Sequence, residues 1–384
     1  MSLSNKSPVR RVLVVDDSAF MRRMVSDVVA SSGEFTVIGT ARDGADALRK
    51  VHALNPDIVT LDIEMPGLDG LEALGYIMSE LPRPVVMLSA GGADGGAEAT
   101  LRALELGAVD FVRKPSGPIS LDLGRVREEL LDALRAASCT NLRGVNVLAR
   151  SLRFVSANPI ASRGFAVDNP VRHIVCIASS TGGPAALTQV IPKLPRDLDA
   201  AVLIVQHMPK GFTASLAQRL NSLGPLPVSE GVHGEMVQNG RVYIAPGGLH
   251  MCVQTWGDGV RLVMNDNPSE WGVRPAADPL FASVSLLFHA SAIGVVLTGM
   301  GRDGAEGLRL MRTAGAVGIV QDSDSAVIAA MPVAALNHAG ADYVVPLNAV
   351  SNTIGAAVSQ LAAKSPARVS AIPIRPTGSM RIVS

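Results

Sequence analysis

Aromatic residues, cysteines and long apolar runs are all scarce in this chain of 384 residues. Only 3% of the residues are aromatic, and 34 basic residues balance 34 acidic ones without forming a strongly basic domain. Both features argue against a nucleic-acid-binding surface, which needs positive charge and often stacks bases on aromatic rings. Since no apolar stretch is long enough to cross a bilayer, we expect no membrane insertion.

The three cysteines, Cys139, Cys176 and Cys252, lie far apart and show no metal-ligand spacing. A small, odd number of this kind is typical of a reducing compartment. The basic residues near the N-terminus precede a short apolar run that ends in Asp16 and Asp17, which predicts a first strand rather than a signal peptide. We therefore expect a cytoplasmic protein.

The chain does contain repeated apolar strands that alternate with amphipathic helices, and 48% of its residues are hydrophobic. This pattern predicts an α/β protein with two doubly wound parallel-sheet domains, the first flavodoxin-like and the second Rossmann-like. We place these domains at residues 10–137 and 171–362. A linker at 138–170 and a disordered tail at 363–384 complete the prediction, and a β-hairpin is expected between Met251 and Met264.

Acidic side chains follow two of the predicted strands in the first domain. Asp16 and Asp17 end the run that begins at Val12, and Asp62 ends a second run. Three carboxylates at one sheet edge would repel one another unless a cation neutralised them, and oxygen ligands favour a hard metal such as Mg2+. A carboxylate beside a bound cation can also accept a phosphoryl group, so the cluster predicts a site at which the chain is switched.

Two further strands of this domain end in Ser89 and Lys114, at the edge where ligands bind in doubly wound sheets. The segments VVDDSAFMR, LDIEMPGLDGLEAL, MLSA and FVRKP together resemble a two-component receiver domain. The resemblance implies that Asp62 is the phosphoacceptor, that Asp16, Asp17 and the backbone carbonyl of Glu64 support Mg2+, and that Ser89 and Lys114 contact the phosphoryl group. Phe111 occupies the aromatic switch position of that family.

The second domain begins with a strand that runs into Ser179, Ser180, Thr181 and two glycines, followed by a helix. A hydroxyl at such a turn lies near exposed helix N–H groups, which can hold an oxyanion, and the glycines would let a substrate carbonyl approach the backbone. The flanks of Ser180 do not match the Gly-x-Ser-x-Gly elbow. Taken alone, the turn could equally be a helix N-cap or a phosphate-holding loop.

A nucleophilic serine needs a base and an orienting acid. His207 follows the next buried strand and Asp303 follows a later one, so both are expected at the same sheet edge as Ser180. His250, in a loop, is the second choice for the base. The chain order Ser, His, Asp differs from that of known serine hydrolases, but the geometry decides such an assignment.

The segments ASSTGGPAAL, VQHMPKGFTASLAQRL, YIAPGGLHM, DPLFASV and LTGMGRDGAEGL resemble the catalytic domain of chemotaxis receptor methylesterases. The resemblance implies Ser180 as nucleophile, His207 as general base and acid, and Asp303 as the residue that orients His207. It also implies the backbone of Met300 as oxyanion donor, with Thr181 nearby, and no cofactor for the hydrolase domain. Ser179 and Arg302 differ from the residues common in relatives.

The run Gly299-Met300-Gly301-Arg302-Asp303-Gly304 also satisfies the Gly-x-Gly-x-x-Gly pattern of dinucleotide-binding turns, with Asp322 near the end of the next strand. That pattern normally opens its domain, whereas this run comes late. Two alternatives therefore stand beside the esterase hypothesis: a nucleotide-dependent oxidoreductase, and a non-enzymatic regulator whose second domain only binds a partner.

We interpret the whole chain as a phosphorylation-activated hydrolase of glutamate γ-methyl esters on chemoreceptors, with deamidation of receptor glutamines by the same acyl chemistry. A histidine kinase would supply the phosphoryl group. The domain order suggests that the receiver covers the hydrolase active site and that phosphorylation of Asp62 loosens this contact.

Overall fold

The computed structural model of the protein describes residues 9–89, 96–114, 123–142, 171–257 and 259–364. Most of the predicted linker and most of the predicted tail lie outside these residues. Of the cysteines, Cys176 is buried, Cys139 is exposed, and none is in a disulfide. Within the described residues, no helix is both long enough and apolar enough to traverse a bilayer.

The N-terminal domain is a five-stranded parallel sheet in the order β2-β1-β3-β4-β5. Its strands are β1 (Arg10–Val15), β2 (Phe35–Ala41), β3 (Ile58–Asp62), β4 (Val85–Ser89) and β5 (Asp110–Arg113). Its helices are α1 (Ala19–Ser31), α2 (Gly44–Leu54), α3 (Gly70–Glu80), α4 (Gly96–Glu105) and α5 (Leu123–Ser138). The strand order is that of flavodoxin-like folds, as predicted, and it reverses direction between β1 and β3.

Local sequence explains where these helices begin. The carboxylates of Asp43 and Asp69 accept hydrogen bonds from backbone N–H groups in the first turns of α2 and α3, and the hydroxyl of Ser18 does the same for α1. Gly33, beyond the end of α1, has a φ of +69°, the left-handed conformation that glycine commonly supplies after a helix. Strands β3 and β4 are buried along their whole length, as expected for strands covered by helices on both faces.

The C-terminal domain is a seven-stranded parallel sheet in the order β14-β13-β12-β6-β7-β9-β8. Its strands are β6 (Ile174–Ser179), β7 (Ala201–Gln206), β8 (Val228–Glu230), β9 (Val242–Ile244), β12 (Ala292–Val296), β13 (Val317–Gln321) and β14 (Tyr343–Val345). The predicted hairpin is present as antiparallel β10 (His250–Trp256) and β11 (Gly259–Asn265). From β6 the chain first builds one side of the sheet, with β7, β8 and β9, and then the other side, with β12, β13 and β14. The switch point therefore lies between β6 and β12.

Six helices cover this second sheet: α6 (Gly183–Val190), α7 (Phe212–Leu223), α8 (Ala277–Phe288), α9 (Ala305–Thr313), α10 (Ala330–Ala339) and α11 (Leu347–Lys364), with 3-10 turns at Ile191–Lys193 and His289–Ser291. Helix α11 extends two residues beyond the predicted end of the domain at 362. Sequence analysis did not predict β8 or β14. Each has only three residues, too few to show a hydrophobic period.

The two domains share one continuous hydrophobic core. It includes Leu104 and Ala108 of the N-terminal domain and Met208 and Phe212 of the C-terminal domain. Helix α4 packs against α6 and α7, and Glu105 forms a bidentate ion pair with Arg219 at 2.7 and 2.9 Å. The carboxyl edge of the second sheet therefore faces the α4–β5 side of the first domain.

Candidate active site and acidic cluster

The predicted acidic cluster forms where β1 and β3 end. Oxygen atoms of Asp16, Asp17 and Asp62 lie within 4.8 Å of one another. Asp16 and Asp62 are buried, whereas Asp17 is exposed. The ammonium group of Lys114 lies 2.8 Å from Asp16 Oδ2 and 2.7 Å from Asp62 Oδ2. Four of the predicted residues are thus brought together at the switch point of the first sheet.

Electrostatics at this cluster favour an additional cation. Burial raises the pKa of Asp62 to about 6, and the neighbouring Asp16 adds to that rise, while Lys114 opposes it. Hydrogen bonds from Lys114 to the two carboxylates raise the pKa of Lys114 despite its burial. Three carboxylates face one ammonium group, so an excess of negative charge is left. The donor set consists only of oxygen atoms, which fits a hard divalent ion such as Mg2+.

The remaining residues predicted for this site lie around it. The backbone N–H of Glu64 donates to Asp62 Oδ1 at 3.4 Å, and the hydroxyl of Ser89 is buried 3.0 Å from that of Thr100. Phe111, on β5, contacts the ring of Phe212 in the C-terminal domain, with ring centroids 4.6 Å apart and ring planes tilted by 32°. Phe111 therefore joins the domains.

At the end of β6 the backbone of Ser180 is fixed by hydrogen bonds. Its N–H donates to the carbonyl of Thr298 at 3.0 Å, and its carbonyl accepts from the Gln206 amide at 3.0 Å. Ser179 is fully buried and its hydroxyl donates to Gln206 Oε1 at 2.7 Å. Ser180, in contrast, lines a cleft together with Thr181 and His207. Of the two adjacent serines, Ser180 is the one that is partly exposed.

His207 and Asp303 form a short contact at the same edge of the sheet. His207 Nε2 lies 2.7 Å from Asp303 Oδ2. This contact engages Nε2, so Nδ1 is the ring nitrogen left for another partner. Ser180 and His207 line the same cleft, and His207 contacts Asp303. The three residues predicted for catalysis therefore lie at one edge of the sheet.

Two helix N-termini hold Asp303 and its neighbour Asp278. Asp303 accepts hydrogen bonds from the N–H groups of Ala277 and Asp278, at 2.5 and 3.0 Å, at the start of α8. Asp278 in turn accepts from the N–H of Gly307 in α9 at 2.7 Å. Burial raises the pKa of Asp303, but the bond to His207 and the α8 N–H groups outweigh it, so the pKa lies below its usual value. Burial and nearby Asp303 raise the pKa of Asp278.

His250, the second choice for the base, is buried at the start of β10. Its Nδ1 accepts from the N–H of Ala276 at 3.2 Å, and its Nε2 lies 3.1 Å from the carbonyl of Pro268. Since both ring nitrogens are occupied, His250 has none to offer a substrate. Its contacts fix the segment between residues 268 and 276 instead.

Gly183 and Gly299, one in each of the two glycine-rich turns, are needed for internal packing. A Cβ on Gly183 would lie 2.0 Å from Gln206 Oε1, and a Cβ on Gly299 would lie 2.2 Å from the sulfur of Met331 and 2.7 Å from Ser180 Cβ. Gly301 differs from them, because nothing in the described part of the chain lies within 4 Å of a Cβ placed there. Met300, the predicted oxyanion donor, follows Gly299 and is 37% exposed.

Two groups that a bound dinucleotide would contact are hydrogen-bonded to other protein groups in this arrangement. The N–H of Gly307, in the first turn of α9, is hydrogen-bonded to Asp278 rather than free for a phosphate. The carboxylate of Asp322 accepts from the N–H of Ser325 in its own turn at 2.8 Å. These two internal hydrogen bonds do not favour the dinucleotide alternative.

The N-terminal domain lies directly over the Ser180 cleft. Leu104, Val109, Asp110 and Phe111 form one of its walls. The hydroxyl of Thr181 donates to Asp110 Oδ2 at 2.8 Å, and burial raises the pKa of Asp110.

Sequence analysis missed Asp110, Gln206, Thr298 and Asp278. In the sequence, each of them is only a polar residue at a strand end or a helix start. Polar residues are common at such positions, so they do not by themselves indicate a functional role.

Comparison with known proteins gives consistent results for both domains. Residues 12–123 match the response regulator receiver domain family, and residues 175–354 match the CheB methylesterase family. The chain is 48% identical over 358 residues to a protein-glutamate methylesterase/protein-glutamine glutaminase of Symbiobacterium thermophilum, covering 91% of this chain and 97% of that protein. A protein of the same description from Pyrococcus abyssi is 43% identical over 352 residues, covering 91% and 94%.

A solved structure of the CheB methylesterase catalytic domain of Thermotoga maritima matches 49% of this chain and 98% of that domain, at 37% identity and a TM-score of 0.47.

Proposed function

Because this chain belongs to the protein-glutamate methylesterase/protein-glutamine glutaminase family, we propose that it hydrolyses glutamate γ-methyl esters on chemoreceptors. The observation that carries this proposal is the short contact of His207 with Asp303, beside a cleft that Ser180 lines. A serine hydroxyl, an imidazole and a buried carboxylate are the groups that acyl transfer needs. The reaction would serve adaptation in chemotaxis.

In the proposed mechanism, Ser180 Oγ attacks the γ-carbonyl carbon of the esterified glutamate, and His207 takes the hydroxyl proton. The C–O bond to the methoxy group then breaks, and His207 returns the proton so that methanol leaves. Water, deprotonated by His207, attacks the resulting glutamyl-serine ester and releases glutamate and the free serine. A glutamine side chain would follow the same route with ammonia as the leaving group.

The contact between His207 and Asp303 supports one arrangement of the protons. In this arrangement Nε2–H would donate to the carboxylate, which would leave Nδ1 as the acceptor for the Ser180 proton. The lowered pKa of Asp303 supports an ionised carboxylate that holds this tautomer and stabilises the imidazolium. The Met300 N–H would support the negative oxygen of the tetrahedral intermediate, and the Thr181 hydroxyl would assist once it is released from Asp110.

Replacement of Ser180 by alanine tests the nucleophile, with Ser179→Ala as the matched control. We expect Ser180→Ala to release no methanol from methylated receptor, whereas Ser179→Ala retains most of the activity, because the Ser179 hydroxyl is buried on Gln206. Methanol release is measured by gas chromatography, with circular dichroism as the check on folding. Full activity of folded Ser180→Ala would refute the assignment.

We further propose that the N-terminal domain is a phosphorylation switch with Asp62 as the phosphoacceptor and a histidine kinase as the source of the phosphoryl group. Asp16, Asp17, Asp62 and the Glu64 carbonyl would hold Mg2+, which neutralises oxygen charge on the transferring group when it is bound. Lys114 would pair with the phosphoryl oxygens, since it already lies 2.7 Å from Asp62. Ser89 would donate its hydroxyl to the same group.

The position of the N-terminal domain over the Ser180 cleft supports regulation by occlusion. A receptor helix could not reach Ser180 while Asp110 and Phe111 contact Thr181 and Phe212. Phosphorylation adds roughly 1.5 to 2 negative charges near β5, which is enough to bias an interface with two states. The proposed location is the cytoplasm, where kinase and receptor signalling domains would be accessible.

A further inference from the structure

An arginine–tryptophan stack lies beside the proposed triad and takes no part in the mechanism given above. The Cζ of Arg302 lies 4.6 Å from the centre of the Trp271 ring. Arg302 is exposed and Trp271 is 53% exposed. Within the part of the chain that the structure describes, Arg302 forms no ion pair, whereas Arg309 in the following helix pairs with Glu306.

Trp271 is held in place from several directions. Its Nε1–H donates to Asp278 Oδ2 at 2.8 Å, and Asp278 donates its backbone N–H to Asp303. Two hydrogen bonds between Glu270 and Val273 close the turn that contains it. His250 and Arg274 anchor the preceding segment, His250 at Pro268 and Arg274 at the carbonyls of Asp266 and Asn267. The ring is therefore a fixed support.

The backbone of Trp271 adopts an uncommon conformation. Trp271 and Gly272 have φ angles of +54° and +79° at the two central positions of the turn. Type I′ turns need such angles and usually place asparagine, aspartate or glycine there. A bulky residue in the left-handed region is an outlier that surrounding contacts must hold, and such outliers cluster at functional sites. This observation is independent of the unpaired arginine.

Among the described residues, no group accepts a hydrogen bond from the guanidinium of Arg302, so its N–H groups are available. A guanidinium held over the face of an aromatic ring can present its N–H groups in the fork geometry that matches a carboxylate. Because the ring holds the group in position, less side-chain freedom is lost when a carboxylate binds. Arg302 directly precedes Asp303, so a carboxylate bound there would lie on the rim of the active site.

We propose that the Arg302–Trp271 pair binds an acidic side chain of the protein substrate, close in sequence or on the same helix face as the glutamyl group that reacts. This inference rests on the proposed function and adds a substrate requirement to it. The enzyme would favour receptor segments in which a second carboxylate accompanies the ester or amide. Arg302 is then a specificity residue that contributes to binding, and the chemistry stays with Ser180, His207 and Asp303.

The test compares Arg302→Gln, Arg302→Lys and Arg261→Gln in the full-length protein. Arg261 is a matched control because it also stacks on an exposed ring, that of Trp256, with its Cζ 3.9 Å from the ring centre, but at the far end of the β10–β11 hairpin. We expect the KM for methylated receptor to rise roughly 10-fold in Arg302→Gln with little change in kcat, and less in Arg302→Lys, which keeps the charge but loses the fork. Arg261→Gln should match the unmodified protein.

Two readouts separate this inference from the proposed function. Unmodified protein that released no methanol from receptor would refute the proposed function itself. A KM for Arg302→Gln equal to that of Arg261→Gln would overturn the inference while leaving the esterase intact. Labelling of Ser180 by a small fluorophosphonate, which carries no acidic side chain, must persist in Arg302→Gln. Loss of labelling would show that Arg302 positions Asp303, and would also overturn the inference.

Discussion

Replacing Asp303 with asparagine tests how the proposed triad depends on a carboxylate. Asp303 accepts hydrogen bonds from three N–H donors, those of His207, Ala277 and Asp278. An amide side chain of the same shape has one acceptor and one donor group, so it cannot satisfy all three. One orientation donates to His207 Nε2 and forces the ring proton onto Nδ1, where it blocks acceptance from Ser180. The other sets its NH2 group against the N–H of Asp278.

Both orientations remove the negative charge that stabilises protonated His207. The same replacement in a serine protease triad lowers kcat about 10^4-fold, and each tenfold loss corresponds to about 1.4 kcal/mol of activation free energy. We therefore expect kcat for methyl-ester hydrolysis to fall by roughly 10^3- to 10^4-fold in Asp303→Asn. The α8 N-cap is also weakened, which should lower the free energy of unfolding by about 0.5–2 kcal/mol.

The assay is methanol release at saturating methylated receptor, with folding followed by circular dichroism. Asp278→Asn is the matched control because Asp278 caps α9 through Gly307 at 2.7 Å and contacts Trp271, so its loss should cost similar stability without changing the partner of His207. We expect the control to keep kcat within roughly tenfold of the unmodified protein. If kcat of Asp303→Asn lay within tenfold of this control at equal folded fraction, the proposed role of Asp303 would be refuted.

Two further predictions concern the N-terminal domain. Burial raises the pKa of Asp62 from 3.8 to about 6, so ionisation of this carboxyl opposes folding. The stability that the neutral carboxyl contributes is fully present below pH 4 and is lost as the pH rises through 6. In metal-free buffer, Asp62→Asn should raise the free energy of unfolding of this domain by up to about 3 kcal/mol at pH 8, with no difference near pH 4. The same substitution should abolish activation of methanol release by a small phosphodonor. Urea titration and methanol release measure the two effects; a phosphodonor response that survives would contradict the role of Asp62. Phe111→Ala removes an interdomain stack worth about 0.5–1.5 kcal/mol beyond the buried area, so basal activity should rise at least roughly 2- to 13-fold. The control Glu105→Gln breaks a partly exposed ion pair with Arg219 worth about 0.2–1 kcal/mol and should raise basal activity by at most about fivefold; an effect equal to or larger than that of Phe111→Ala would contradict occlusion.

The strand pattern predicted most of the fold and the residues that lie at strand ends. Asp16, Asp62, Ser180, His207 and Asp303 could be placed at two shared edges because parallel strands present their carboxyl ends together. Near-continuous apolar runs identified the buried strands themselves, whereas β8 and β14 were too short to recognise. Sequence order was therefore sufficient to predict which of these side chains lie at the same sheet edge.

The supporting residues could not be predicted because their roles depend on contacts between distant segments. Gln206 braces both Ser179 and Ser180, and Asp278 reaches the start of α9, 29 residues further along the chain. His250 was predicted as a loop histidine and the second choice for the base, but it is buried at the start of β10 and holds a neighbouring segment at two points. From the sequence alone, none of these side chains can be distinguished from an ordinary polar residue, because its role depends on how the helices and strands pack.

Strand β5 explains how the proposed phosphorylation site and the covered cleft can influence each other. Within four consecutive residues it contacts Thr181 through Asp110 and Phe212 through Phe111, and the guanidinium of Arg113 lies 5.2 Å from the centre of the Phe212 ring. Lys114 follows directly and pairs with Asp62 at 2.7 Å. A phosphoryl group on Asp62 would change the partner of Lys114, and the short strand leaves little backbone to absorb a shift before it reaches the interface. The interdomain contacts of β5 include the Thr181–Asp110 hydrogen bond, the Phe111–Phe212 ring contact, and two contacts of Arg113, with the Phe212 ring and with the Lys210 carbonyl at 3.4 Å. Because each of them is worth only about 0.5–3 kcal/mol, we infer that a modest displacement of this strand is enough to expose Ser180.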